Sequence, residues 1–160
     1  MVHPKDIGDR TTLALMVALR EAGYAISVPF GENTRYDLVI DDGLRLARVQ
    51  GKTGRLRGGA VIFSTASTYL HHPNPGVSRR GYRGEIDYFG VYCAATGGVY
   101  LLPIDDVPTR TAAMLRVNPS RNGQQRRVRL AADYQIGTVV MPALVTPALR
   151  ASSGARGSCA

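Results

Sequence analysis

The chain has 160 residues, enough for one domain with a real core, and its 44% hydrophobic and 20% charged content is that of a globular protein. No run reaches the roughly 20 apolar residues of a membrane span, and the opening Met1-Val2-His3-Pro4-Lys5-Asp6 has no apolar signal region, so no membrane partner and a cytoplasmic location are expected. Twenty cations against twelve acids leave a net charge of +8, which points to a polyanionic partner such as nucleic acid.

Residues Asp6 to Ala22 read as a helix closed by Gly23, a residue suited to the left-handed position past a helix end. Leu13, Met16 and Val17 form part of its apolar stripe, and Asp9 falls on the same side because steps of four and seven residues return near one angle. Asp9 then has two readings: an acid directed at the sheet edge, or a first-turn acid favoured by the helix dipole. Tyr24 to Phe30 reads as a strand and Gly31-Glu32-Asn33-Thr34 as a turn. Arg35 to Asp41 and Leu44 to Thr53 read as a hairpin around Asp42-Gly43. Ala60 to Thr68, rich in β-branched residues, is a further strand.

A long loop from Tyr69 to Gly84 follows, and its length marks it as functional or disordered. Glu85 to Ala95 and Val99 to Ile104 pair as strands around Thr96-Gly97-Gly98. Pro108 begins a short helix that ends near Arg116. From Gly137 the composition turns to Pro, Ala, Ser and Gly without periodicity, so residues 1–136 read as the folded domain and 137–160 as a largely disordered tail. Cys93 and Cys159 lack metal-ligand spacing, and a reducing compartment is the simpler expectation for them.

The chemistry concentrates in the hairpin. Eighteen of the twenty cations are arginine; the two lysines are Lys5 and Lys52. Arg is a planar fork, whereas Lys is a compact point charge suited to sit beside a reacting oxygen. With a two-residue turn, Asp41 faces Leu44 and Asp37 faces Arg48, so alternation puts Asp37, Arg48, Gln50 and Lys52 on one face. A slip of one residue would break that parity. Magnesium takes hard oxygen ligands and keeps several waters. Asp37 offers an anionic oxygen, Gln50 a neutral amide oxygen, and Asp9 a further carboxylate, bound directly or through water. Lys52 would lower the pKa of a metal-bound water or offset charge at phosphorus in the transition state. The competing view makes Gln50 and Lys52 solvated polar residues on an open sheet face. Asp87 reads as a structural partner, and His71 and His72 as a loop pair against phosphate or solvent. Arg55, Arg57, Arg79, Arg80, Arg83, Arg126, Arg127 and Arg129 are candidate phosphate contacts, and Tyr82 is a candidate to stack on a base or sugar.

In order and spacing, Tyr-Asp-Leu-Val-Ile-Asp, the hairpin and Val-Gln-Gly-Lys-Thr resemble the PD-(D/E)xK endonucleases, and within them the branch associated with group I introns. That branch has Gln where the superfamily has its second acid, which Gln50 matches. Lys5 with Gly8-Asp9 is similar to the family's opening Lys-Gly…Gly-Glu, with Asp9 in place of Glu. Glu85-Ile86-Asp87-Tyr88-Phe89 and Val99 to Asp105 resemble its later strands, and the likeness runs from Lys5 to Ile136. Tyr36 stands where the motif's name has Pro. The resemblance implies an α/β, restriction-endonuclease-like core, a mixed central sheet flanked by helices. It implies Mg²⁺-dependent hydrolysis of DNA phosphodiesters, with Mn²⁺ as a substitute. Asp37 would be the principal ligand, Asp9 and Gln50 would assist, and Lys52 would stand at the nucleophile. It also implies double-stranded DNA as partner and a homodimer or higher homo-oligomer. Two rival readings are a DNA-binding protein that keeps the fold without cutting, and a resolvase of Holliday junctions or other branched DNA.

Overall fold

A computed structural model describes residues 2–70, 77–107, 111–123 and 126–143, with backbone alone at 68–70 and 77–78. Helix α1 (Pro4–Glu21) begins slightly before the expected start because His3 caps it: its Nδ1 accepts from Lys5 N at 3.2 Å, and Pro4 occupies the first turn, where its missing N–H costs nothing. The helix ends as its sequence predicts. Gly23 takes φ +97°, and the Gly23 and Tyr24 amides close onto Arg20 O and Leu19 O.

Six strands form the main sheet in the order β1 (Ala25–Ser27), β2 (Leu38–Asp41), β3 (Leu46–Thr53), β8 (Tyr88–Cys93), β9 (Gly98–Pro103), β11 (Gln135–Thr138). The β3–β8 pair is parallel and the others antiparallel, so the sheet is mixed. A parallel pair requires a crossover, commonly a helix. Here the crossover is β-structure: β4 (Arg55–Arg57) and β5 (Ala60–Ser64) join β10 (Ala112–Arg116) in a three-stranded sheet, and β6 (Ser67–Leu70) pairs with β7 (Val77–Arg80). The fold is α/β with a mixed central sheet, as expected, but one long helix covers one face and strands cover the other. The second described helix, α2 (Ala131–Tyr134), is a single turn.

Two further expectations are corrected. Residues 112–116 form a strand and not the end of a helix, because Ala113 and Leu115 alternate inward against Phe63 and Val61; Pro108 lies outside the described residues. The expected loop 69–84 contains much of the β6–β7 hairpin. Beyond residue 137, Thr138 closes β11, Val139 N bonds Gly97 O at 2.7 Å, and Met141 packs on the core.

Two apolar layers result. Leu38, Ile40, Ala47 and Val49 meet Ala14, Leu15, Ala18 and Leu19 of α1. On the opposite face Phe89, Val91 and Leu102 meet Val61, Phe63, Leu115 and Tyr82. Leu13 and Val17 are 54% and 51% exposed, so the buried stripe is one rotated from the expected one, through Thr11, Ala14, Leu15, Ala18 and Leu19. The smallest residues decide this. Gly51 and Gly90 are partners in the β3–β8 register and leave a hollow for Leu15; a Cβ at Gly90 would come within 2.8 Å of Leu15 Cδ2 and 3.0 Å of Val49 Cγ1. Gly90→Ala should therefore destabilise the fold by about 1–3 kcal/mol through overpacking, and Leu15→Ala by about 2–5 kcal/mol through the void. Urea unfolding measures both. Adding Leu15→Val to Gly90→Ala should recover part of the loss, and an unshifted midpoint for Gly90→Ala alone would show that Leu15 does not need the hollow.

Candidate active site

The hairpin that carries the site differs from expectation in its turn. Asp41 pairs with Leu46 and Val39 with Arg48, so the loop spans Asp42–Arg45. Asp42 builds it: its Oδ1 accepts from Leu44 N and Arg45 N at 2.9 Å each, and its N–H reaches Arg45 O. These amide bonds hold the Asp42 carboxyl below its usual range. The register moves by two residues, so side-chain parity survives. Asp37, whose N–H bonds Val49 O at 2.9 Å, now lies opposite Gln50 rather than diagonal to it. Arg48, Gln50 and Lys52 share the face away from α1, and the Asp37 carboxyl lies beside Gly51, its Oδ2 3.0 Å from where a Cβ of that residue would stand.

Asp37 Oδ2 accepts from Gln50 Nε2 and from Gly51 N, both at 2.8 Å, and Gln50 Nε2 also reaches Gly51 O at 3.1 Å. The amide N–H groups of Gln50 are thereby committed to protein. Among the described residues no hydrogen bond engages Asp37 Oδ1 or Gln50 Oε1, and both side chains line a cavity of about 310 Å³ with Asn33, Thr34, Arg35, Ser67 and Tyr82. Burial raises the Asp37 carboxyl above the usual carboxylate range, against the opposing pull of the Gly51 N–H and the Lys52 charge. Lys52 Nζ donates to Tyr82 Oη at 2.9 Å and lies 4.5 Å from that ring's centroid.

Several expected site residues lie elsewhere. Asp9 is exposed on α1, about 160° around the axis from the buried Thr11, on the far side of the helix that itself covers the other face of the sheet. It does not join Asp37, Gln50 and Lys52. Thr11 bonds Thr53 Oγ1 of β3 at 2.7 Å. Tyr82 is 5% exposed and edge-on to Phe89 at 5.6 Å, so its ring is not available to stack on a base. Asp87 is structural, as expected: its Oδ2 accepts from Arg48 N at 2.7 Å and Arg48 Nε at 3.2 Å, and these bonds outweigh burial and keep its carboxyl below the usual range.

The candidate phosphate contacts divide by partner. Arg80 pairs with Glu85, Arg83 with Asp105 at 3.4 Å, and Arg129 Nε donates to the Asp106 carbonyl. Arg55 and Arg57 are exposed on β4 along a groove of about 710 Å³ that also includes Thr53, next in chain to Lys52. Arg79, Arg126 and Arg127 are exposed. His71 and His72 lie outside the described residues. The residue missed from sequence is Arg35. Its guanidinium lies 4.1 Å from the Tyr82 centroid, and it donates to Glu85, to Ser67 Oγ at 2.7 Å and to Gly81 O at 2.7 Å. Two arginines hold the Glu85 carboxyl below its usual range. Alternation from Asp37 already puts Arg35 on the site's face, a signal present in the sequence.

No group of three His, Cys, Asp or Glu side chains is gathered for a metal among the described residues. Asp37 Oδ1 and Gln50 Oε1 are hard oxygen donors on side chains that line the cavity. That set suits an ion such as Mg²⁺, which takes few protein ligands and fills the remainder with water and substrate oxygens.

A search of curated proteins found no match. Among solved structures, that of the bacterial homing endonuclease I-Ssp6803I is similar in fold, with a TM-score of 0.67 and 23% identity over 84% of this chain and 89% of that one. The family model described as PD-(D/E)XK endonuclease matches residues 2–137. With that match spanning the helix, the hairpin with Asp37, Gln50 and Lys52, and the parallel β3–β8 pair, this chain belongs to the PD-(D/E)XK endonuclease family.

Proposed function

We propose that this endonuclease hydrolyses phosphodiester bonds of double-stranded DNA in a Mg²⁺-dependent reaction, with Mn²⁺ as a substitute and a homing-endonuclease-like role. The observation that carries the reading is the hydrogen-bonded pair of Asp37 and Gln50 lining one cavity, near the ammonium of Lys52. A divalent ion held there supplies a Lewis acid and makes water a competent nucleophile at neutral pH. Asp37 contributes the anionic oxygen. Gln50 contributes a neutral one and, unlike an acid, takes up no proton. Lys52 offsets negative charge that accumulates on the phosphate oxygens as the bond breaks. Asp9 has no part in this assignment, because α1 carries it away from the site.

DNA reaches the site along the basic surface. Arg55 and Arg57 continue outward from the strand that carries Lys52, and their exposed guanidinium groups suit successive phosphates. Arg79, Arg126 and Arg127 extend the positive surface, and Arg80 and Arg83 keep exposed groups despite their acidic partners. Cutting both strands of a duplex needs two such sites, so the proposal includes a homodimer or higher homo-oligomer.

The test is nicking of supercoiled plasmid over a Mg²⁺ or Mn²⁺ titration. Asp37→Ala should remove metal-dependent cleavage while DNA binding persists. Lys52→Arg keeps the charge but misplaces it, and should lose about 99% of activity or more, a loss comparable to removing one transition-state donor. Undiminished cutting by Asp37→Ala would overturn the site, and a parent that binds DNA without cutting under any metal would favour the binding-protein reading.

Binding can be checked separately. Removing one arginine–phosphate interaction should flatten the slope of log affinity against log salt by about 0.9. Arg55→Ala with Arg57→Ala should lower both slope and affinity, with little change in sequence preference. An unchanged slope removes β4 from the DNA surface.

The raised carboxyl of Asp37 sets a pH dependence of stability without metal. A carboxyl whose folded pKa exceeds its unfolded one binds protons more tightly when folded, so stability falls as pH rises from the unfolded pKa through the folded value, then levels. Asp37→Asn removes this loss while keeping an oxygen for the Gly51 N–H. In metal-free thermal unfolding, the midpoint of Asp37→Asn relative to the parent should rise between acid and neutral pH. A difference that shrinks over that interval would show an Asp37 stabilised as an anion.

A further inference from the structure

We propose that Tyr82 is a positioning residue that holds the Lys52 ammonium off Asp37 and so keeps the second carboxylate oxygen open for a divalent cation. The inference rests on the proposed function above and extends it to a residue outside the family's motif.

Lys52 and Asp37 are opposite charges at half-buried positions, two strand positions removed from a direct cross-strand pair, since Gln50 lies opposite Asp37. Attraction between such charges is strong away from bulk water. Yet the ion pairs among the described residues join Arg35 or Arg80 to Glu85, Arg48 to Asp87, and Arg83 to Asp105, and none includes Lys52. Lys52 Nζ donates instead to the phenol oxygen of Tyr82 at 2.9 Å. A neutral acceptor satisfies one of the ammonium's three donors without cancelling its charge. The remaining donors stay available to an anionic substrate.

The phenol can serve as an anchor because its ring is held by the core on one side and by a guanidinium on another. It is 5% exposed, meets Phe89 edge-on at 5.6 Å, and carries the Arg35 guanidinium 4.1 Å from its centroid. Arg35 is held in turn by Glu85, Ser67 and Gly81 O. The backbone turns directly after the ring, with Glu85 N and Ile86 N bonded to Tyr82 O at 2.9 and 3.3 Å.

Tyr82→Phe deletes the hydroxyl and keeps the ring. Metal binding by the free protein is read from Mn²⁺-enhanced water proton relaxation, alongside plasmid cleavage over a metal titration. Tyr82→Phe should weaken Mn²⁺ binding and raise the metal requirement by about 10–100-fold, as removal of a supporting partner commonly does. In a Lys52→Met background the same substitution should change Mn²⁺ binding by no more than about twofold, because the effect runs through Lys52. An equal loss in both backgrounds, or none in either, overturns the assignment. A second readout does not involve metal. The chain has two lysines, so lysine labelled with ¹³C at the ε position gives two signals, from Lys52 and Lys5. Asp37→Asn should move the Lys52 signal more in the Tyr82→Phe background than in the parent. Equal movement in both shows that Tyr82 does not hold the two charges apart. A parent that binds no Mn²⁺ would defeat the proposed metal site, while the lysine spectra would still decide the role of Tyr82.

Discussion

The structure turns on the close approach of two backbones at Gly51 and Gly90. Strand β3 can take β8 as its parallel neighbour and still accept Leu15 from above because neither partner has a Cβ at that point. Everything else about the site follows from this sealing. With α1 seated on one face of β3, every second side chain of that strand is spent on the core, and the intervening ones, Arg48, Gln50 and Lys52, are left for the other face. Gly51 also turns its N–H to Asp37, so a single residue fixes the helix and orients the carboxylate.

The crossover explains the second half of the architecture. A helix between β3 and β8 would have covered the face that carries Gln50 and Lys52. The chain instead returns through short strands, whose apolar residues pack on that face while a cavity remains beside Asp37. The residues that close the gap are polar and mutually bound: Arg35 with Glu85, and Arg48 with Asp87. Such pairs at partly exposed positions contribute little stability each. Their role here is geometric, since they tie the segment before β8 to the strands that carry the site.

The hairpin is legible in the sequence because its information is periodic. Asp37, Gln50 and Lys52 share a face under any register shift of an even number of residues, so the expectation survives a turn twice as long as Asp42-Gly43 suggests. The turn itself is not legible because Asp42 competes for the amides of Leu44 and Arg45, a local side-chain bond that periodicity does not encode. Periodicity misplaces Asp9 for a related reason: the stripe through Leu13 and Val17 is as apolar as the buried one, and only the hollow at Gly51 and Gly90 selects Leu15. Tyr82 reads as a surface aromatic because it sits in a stretch of Arg and Gly. Its burial depends on Phe89 and Arg35, and the latter is distant in sequence. Residues 112–116 read as helix on the strength of the Pro108 start, and pairing with β5 decides for strand.

The amide at position 50 has a consequence for the order of events on DNA. A site with one carboxylate carries one negative charge fewer than a site with two, and its hold on a divalent cation is weaker by that charge. The missing anionic oxygen can come from the phosphate to be cut. On the proposed reading, cation and nucleic acid then complete each other's coordination, and by linkage each tightens the binding of the other by the same factor. Such an enzyme is assembled by its substrate: the ion is held firmly where a phosphate lies in the cavity and loosely where none does, which confines the hydrolytic state to the bound duplex.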